Sequence, residues 1–117
     1  VGLDCWFERA RPGGPFPHVG LASALLAGGE GAFRGRIYAD LVEKATGQSL
    51  YRNEIGPEDV ARMATGLEEF ARAIEGLRGE RELPGGWRYA VTAADARDLA
   101  ALFRHAASEG MALMARW

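Results

Sequence analysis

The chain reads as an α+β fold, a small sheet of about three strands packed on about four helices. Two observations predict it. Apolar residues recur at three- and four-residue steps through the middle, as on one stripe of a helix, and they alternate at both ends, as on one face of a strand. The length of 117 residues, the 48% apolar share and the 26% charged share fit one ordinary globular domain over 1–117 with its own core.

Residues 1–8 alternate Leu3, Cys5 and Phe7 against Asp4, Trp6 and Glu8, the two-residue period of a half-buried strand. Trp6 is the exception on the polar side. Pro12, Pro15 and Pro17, with Gly13 and Gly14, make 9–18 a loop, because proline lacks the N–H that helices and central strands need. A short apolar helix is expected over 19–27, ended by Gly28, Gly29 and Gly31.

A second helix is expected over 33–46, with Phe33, Ile37, Leu41 and Ala45 four apart and Tyr38 and Val42 beside them. Gly47 suits a left-handed cap, and Leu50, Tyr51 and Ile55 in the connection over 48–56 can anchor back to the core. The third helix, 57–77, is the clearest. It opens on Pro57 with Glu58 and Asp59 at its positive end, and it carries Val60, Met63, Ala64, Leu67, Phe70, Ala71, Ile74 and Leu77 on one stripe. Glu58 with Arg62, Glu68 with Arg72 and Glu75 with Arg78 read as its solvent-facing charge pairs.

After a polar turn, Trp87, Tyr89 and Val91 alternate as a strand over 87–91. Thr92 with Asp95 resembles a capping box that opens a helix bearing Ala96, Leu99, Leu102, Phe103 and Ala106, closed by Gly110. The tail alternates again, so 112–117 is read as strand. Strand, helix and strand from 87 to 117 then form a βαβ unit with parallel strands, which the first strand joins.

Several chemistries find no support. Cys5 is the single cysteine, so an intrachain disulfide framework is excluded; between Leu3 and Phe7 it reads as a buried apolar residue rather than a reactive thiol. Ser23, Ser49 and Ser108 stand in no nucleophile-elbow context, and no catalytic residue is assigned. His105 and Glu109 share a helix face but lack further ligands nearby, so no metal and no cofactor is implied, and the surface-pair reading is preferred. The formal charge of −2 disfavours nucleic acid, which would require Arg9, Arg11, Arg34 and Arg36 to gather on one face. Lys44 is the single lysine among fourteen basic residues, a bias that reflects a GC-rich genome before it reflects guanidinium chemistry. No apolar run is long enough to span a bilayer and the start resembles no signal peptide, so a cytoplasmic location is the expectation. The two ends of the chain read as those of a short bacterial or phage-type protein.

Two candidate sites remain. The run GGEGAFRGR over 28–36 leads a glycine-rich turn into a helix, where Gly29, Gly31, Arg34 and Arg36 form a candidate phosphate- or small-ligand-binding site, the enzyme alternative. It lacks the Lys-Ser/Thr ending of a P-loop, and Glu30 opposes an anion. Trp6, Trp87, Tyr89 and Trp117 fall on the three expected strands. They either cap the core edges or form an interface on a sheet face that helices leave open. The expectation is therefore a protein-interaction or self-associating module, with a protein partner or a homodimer, rather than an enzyme.

Overall fold

The computed structural model describes residues 2–8, 32–74 and 91–117. Its elements in chain order are β1 (Asp4–Glu8), β2 (Ala32–Arg34), α1 (Gly35–Thr46), β3 (Glu54–Ile55), α2 (Pro57–Ala73), α3 (Ala93–Ser108) and β4 (Ala112–Arg116). Among the described residues the fold is α+β, with four strands in the order β2-β1-β4-β3 and three helices. The expected loop over 9–18 and helix over 19–27 lie outside the described residues, as does the strand over 87–91 except for Val91, which is buried just ahead of α3.

The first and last strands do lie side by side. β1 and β4 pair antiparallel from Asp4 opposite Arg116 to Glu8 opposite Ala112. Residue parity decides what they bury. Cys5, Phe7, Leu113 and Ala115 turn into the core, while Asp4, Trp6, Glu8, Ala112, Met114 and Arg116 turn out.

The parallel βαβ arrangement is corrected. β4 is hydrogen-bonded antiparallel to β1 on one edge and to β3 on the other, so neither edge is left for a parallel neighbour. β3 is only two residues long, too short to show a period, yet Ile55 is fully buried opposite Leu113.

A second correction concerns 33–46, where the helix begins at Gly35 and Phe33 belongs to β2. Phe33 sits opposite Cys5, and the Gly35 N–H donates to the Leu3 carbonyl at 2.8 Å, so β1 captures this stretch before the helix starts. The buried arc of α1 centres on Tyr38, Leu41 and Val42, with Ile37 and Ala45 at its margins. A glycine is required at the junction, because a Cβ on Gly35 would lie 2.5 Å from Cys5 Sγ and 2.9 Å from Leu3 Cδ2.

Of the helix expected over 57–77, α2 covers Pro57–Ala73, and Val60, Met63, Ala64, Leu67 and Ala71 are buried as its stripe requires; Leu77 and the pair of Glu75 with Arg78 lie outside the described residues. It packs on both α1 and α3, which places it at the centre of the helical layer. α3 carries a complete capping box: Asp95 N–H donates to Thr92 Oγ1 at 3.1 Å, and Thr92 N–H donates to Asp95 Oδ2 at 3.2 Å. Gly47 and Gly110 take the left-handed backbone expected of helix-ending glycines, with φ of 73° and 66°.

Helices and sheet meet at an aromatic cluster. Phe7 packs edge-on against Phe103 with centroids 5.2 Å apart, and Phe33 lies 6.0 Å from Phe103 and 6.2 Å from Tyr38. Two strands and two helices thus share one knot of rings. Rings in such offset arrangements add about 0.5–1.5 kcal/mol per pair beyond their buried area.

Candidate functional site: the outer face of the sheet

The helices use one side of the sheet, and the side chains of opposite parity define the other. β1 contributes Asp4, Trp6 and Glu8; β4 contributes Ala112, Met114 and Arg116; Ala32 and Arg34 of β2 and Glu54 of β3 complete the outer face. The pairing arranges them in rows. One row runs Arg34, Asp4, Arg116; the next runs Ala32, Trp6, Met114, Glu54; the third sets Glu8 beside Ala112.

Directly opposite residues on neighbouring strands have Cβ atoms about 4.5–5.5 Å apart, so members of a row touch or nearly touch. Asp4, Glu8, Arg34, Glu54 and Arg116 are exposed, whereas Trp6 and Met114 are half-buried between them. The Trp6 indole N–H donates to Glu8 Oε1 at 3.0 Å, which fixes the ring along its own strand. An aromatic ring and a thioether therefore occupy the centre of the face, bordered by acid and base.

The buried side of β1 offers no nucleophile. Desolvation, with the Asp4 carboxylate adding to it, pushes the Cys5 thiol up to about 12, so it stays protonated at neutral pH. Among the described residues no three His, Cys, Asp or Glu side chains gather as metal ligands. His105 lies partly buried in α3 and accepts the Ser108 hydroxyl on its carbonyl oxygen at 2.7 Å. No described helix is long and apolar enough to cross a membrane.

Of the residues singled out in the sequence, Gly29, Gly31, Trp87 and Tyr89 lie outside the described residues. Arg34 ends β2 in the first row of the outer face, and Arg36 is exposed in the first turn of α1. Trp6 occupies the centre of the outer face. Trp117, one residue past β4, has the core-side parity of Leu113 and Ala115; it is 52% exposed and meets Tyr51 edge-on at 5.6 Å. The two tryptophans do not share a patch.

The sequence alone does not single out Met114, Arg116 or Asp4. Their parity was readable from the alternation of each strand, but their adjacency depends on the antiparallel register, which alternation leaves open. Comparison with known protein families, with curated proteins and with solved structures finds no match to this chain, so the site is read from its own geometry.

Proposed function

We propose that this protein is a protein-binding module whose contact surface is the outer face of β1 and β4. The observation that carries the reading is the side-by-side placement of Trp6 and Met114 at the centre of a sheet face used by none of the described helices. Aromatic residues and methionine are enriched at the cores of protein interfaces, where a ring brings large contact area at little entropic cost, while charged residues form the rim. Asp4, Glu8, Arg34 and Arg116 stand in the rim position here.

A photo-crosslinking side chain tests this at two sites in the cells that produce the protein. Placed at Met114, it is expected to trap a discrete protein adduct on illumination; placed at Ala101, exposed on α3, it is expected to trap none. Absence of an adduct from Met114, or equal adducts from both positions, overturns the reading.

A further inference from the structure

Resting on that reading of the outer face as a docking surface, we infer that its occupant is a second copy of the same chain, turned about a two-fold axis that runs along the strands between β1 and β4. The inference comes from the register. On the outer face, Asp4 lies opposite Arg116, Trp6 opposite Met114 and Glu8 opposite Ala112. Two of the three outer positions of β1 are thus matched by a complementary one on β4, acid by base and ring by thioether, while the third sets an acid beside a small neutral residue that does not oppose it.

A half-turn about an axis along the strands lays β1 of one copy over β4 of the other and leaves the rows in place. Asp4 then meets the partner's Arg116, Trp6 meets the partner's Met114, and Glu8 meets the partner's Ala112. Symmetry repeats each contact, as an isologous interface requires. The alternative in-plane axis, along the rows, sets Asp4 over the partner's Glu8 and Glu54 over the partner's Glu54. Like charges facing each other disfavour it. Face-to-face sheets pack with strands within about 30° of parallel, which the preferred axis satisfies.

Two strands of five residues, flanked by one of three and one of two and spaced about 4.8 Å apart, present a patch of at most roughly 19 by 17 Å. That is well below the ~800 Å² per partner of a typical stable complex, so the dimer is a weak, concentration-dependent one. The complementarity selects the occupant and the orientation, and the small area sets the strength.

Sedimentation velocity on the purified full chain, from micromolar to millimolar concentration, is expected to show a monomer–dimer equilibrium. Asp4→Arg alone and Arg116→Asp alone each face like charge against like and are expected to weaken dimerisation on the order of tenfold or more. An equimolar mixture of the two variants restores it, because Arg at position 4 of one copy then meets Asp at position 116 of the other, and the native Arg116 of the first meets the native Asp4 of the second. A folding defect would not be rescued by mixing. A wild-type chain that stays monomeric throughout, or a mixture that does, overturns the inference. The crosslinker at Met114 separates the two claims: an adduct of twice the chain mass supports the homodimer, an adduct of another mass overturns the homodimer while the docking face stands, and no adduct overturns both.

Discussion

Gly35 shows how one residue joins local and tertiary structure. Its amide is held by the Leu3 carbonyl and its Cα faces Cys5 Sγ, so the strand-to-helix junction presses directly onto the centre of β1. Gly35→Ala is expected to destabilise the protein by about 1–3 kcal/mol, since a methyl group there must displace packed core atoms rather than the free end of a surface chain. Urea unfolding followed by circular dichroism measures it, and a variant as stable as wild type would show that Cys5 and Leu3 can withdraw without cost. The glycine itself was visible in the sequence. What it faced was not, because closeness between positions 5 and 35 follows from strand pairing and leaves no local mark.

Among the elements, α2 and α3 are stapled by an ion pair that spacing within one helix could not reveal. Arg104 of α3 donates from Nε and Nη2 to the two Glu68 carboxylate oxygens of α2, at 3.1 and 2.8 Å, and Nη2 also reaches Thr65 Oγ1 at 2.9 Å. The sequence offered Arg72 as the partner of Glu68, but the two-pronged guanidinium from the neighbouring helix takes the carboxylate, and Arg62 likewise pairs with Asp59 at 3.0 Å rather than with Glu58. Because side chains here are partly solvated, the staple contributes only about 0.5–1 kcal/mol. Its hydrogen bonds to Arg104 hold the Glu68 carboxyl below its ordinary value of 4.5. A carboxyl held low in the folded state binds fewer protons there than in the unfolded chain, so its contribution is full above pH 4.5 and fades as pH falls through the folded value. The stability difference between wild type and Glu68→Gln, measured by urea melts from pH 7 to pH 3, is therefore expected to shrink on the acid side. Helix faces were legible because packing on a common core imposes a period on the chain. Cross-helix partners and the two-residue β3 were not, since neither leaves one.

At the scale of the whole molecule, the meeting of the first and last strands was legible from their shared alternation, and their antiparallel sense was not. A parallel return looked natural for a strand followed by a helix and another strand; the chain instead gives β4 two antiparallel neighbours drawn from distant segments. Cys5 then becomes a probe of global stability, since it is fully buried at the centre of the sheet and backed by Gly35. Its alkylation is expected to proceed only through opening of the sheet, at a rate that falls as osmolyte is added and rises with urea; rapid labelling independent of either would place the thiol at the surface. Its elevated value also fixes a direction with alkali. The unfolded thiol ionises near 9.0 while the folded one holds its proton to about 12, so the unfolded state gains by releasing protons and stability falls between those limits.

The pairing of β1 with β4 joins residues more than a hundred positions apart, at the middle of the sheet. A ribosome delivers Cys5 and Phe7 long before Leu113 and Ala115, which are to lie against them. Until residues 112–116 follow, the first strand therefore has one lateral edge without its companion, and the sheet can close only after residue 116 has cleared the exit tunnel. Long-range pairing of this kind closes slowly, and it leaves the waiting edge of β1 open to misassociation until β4 arrives.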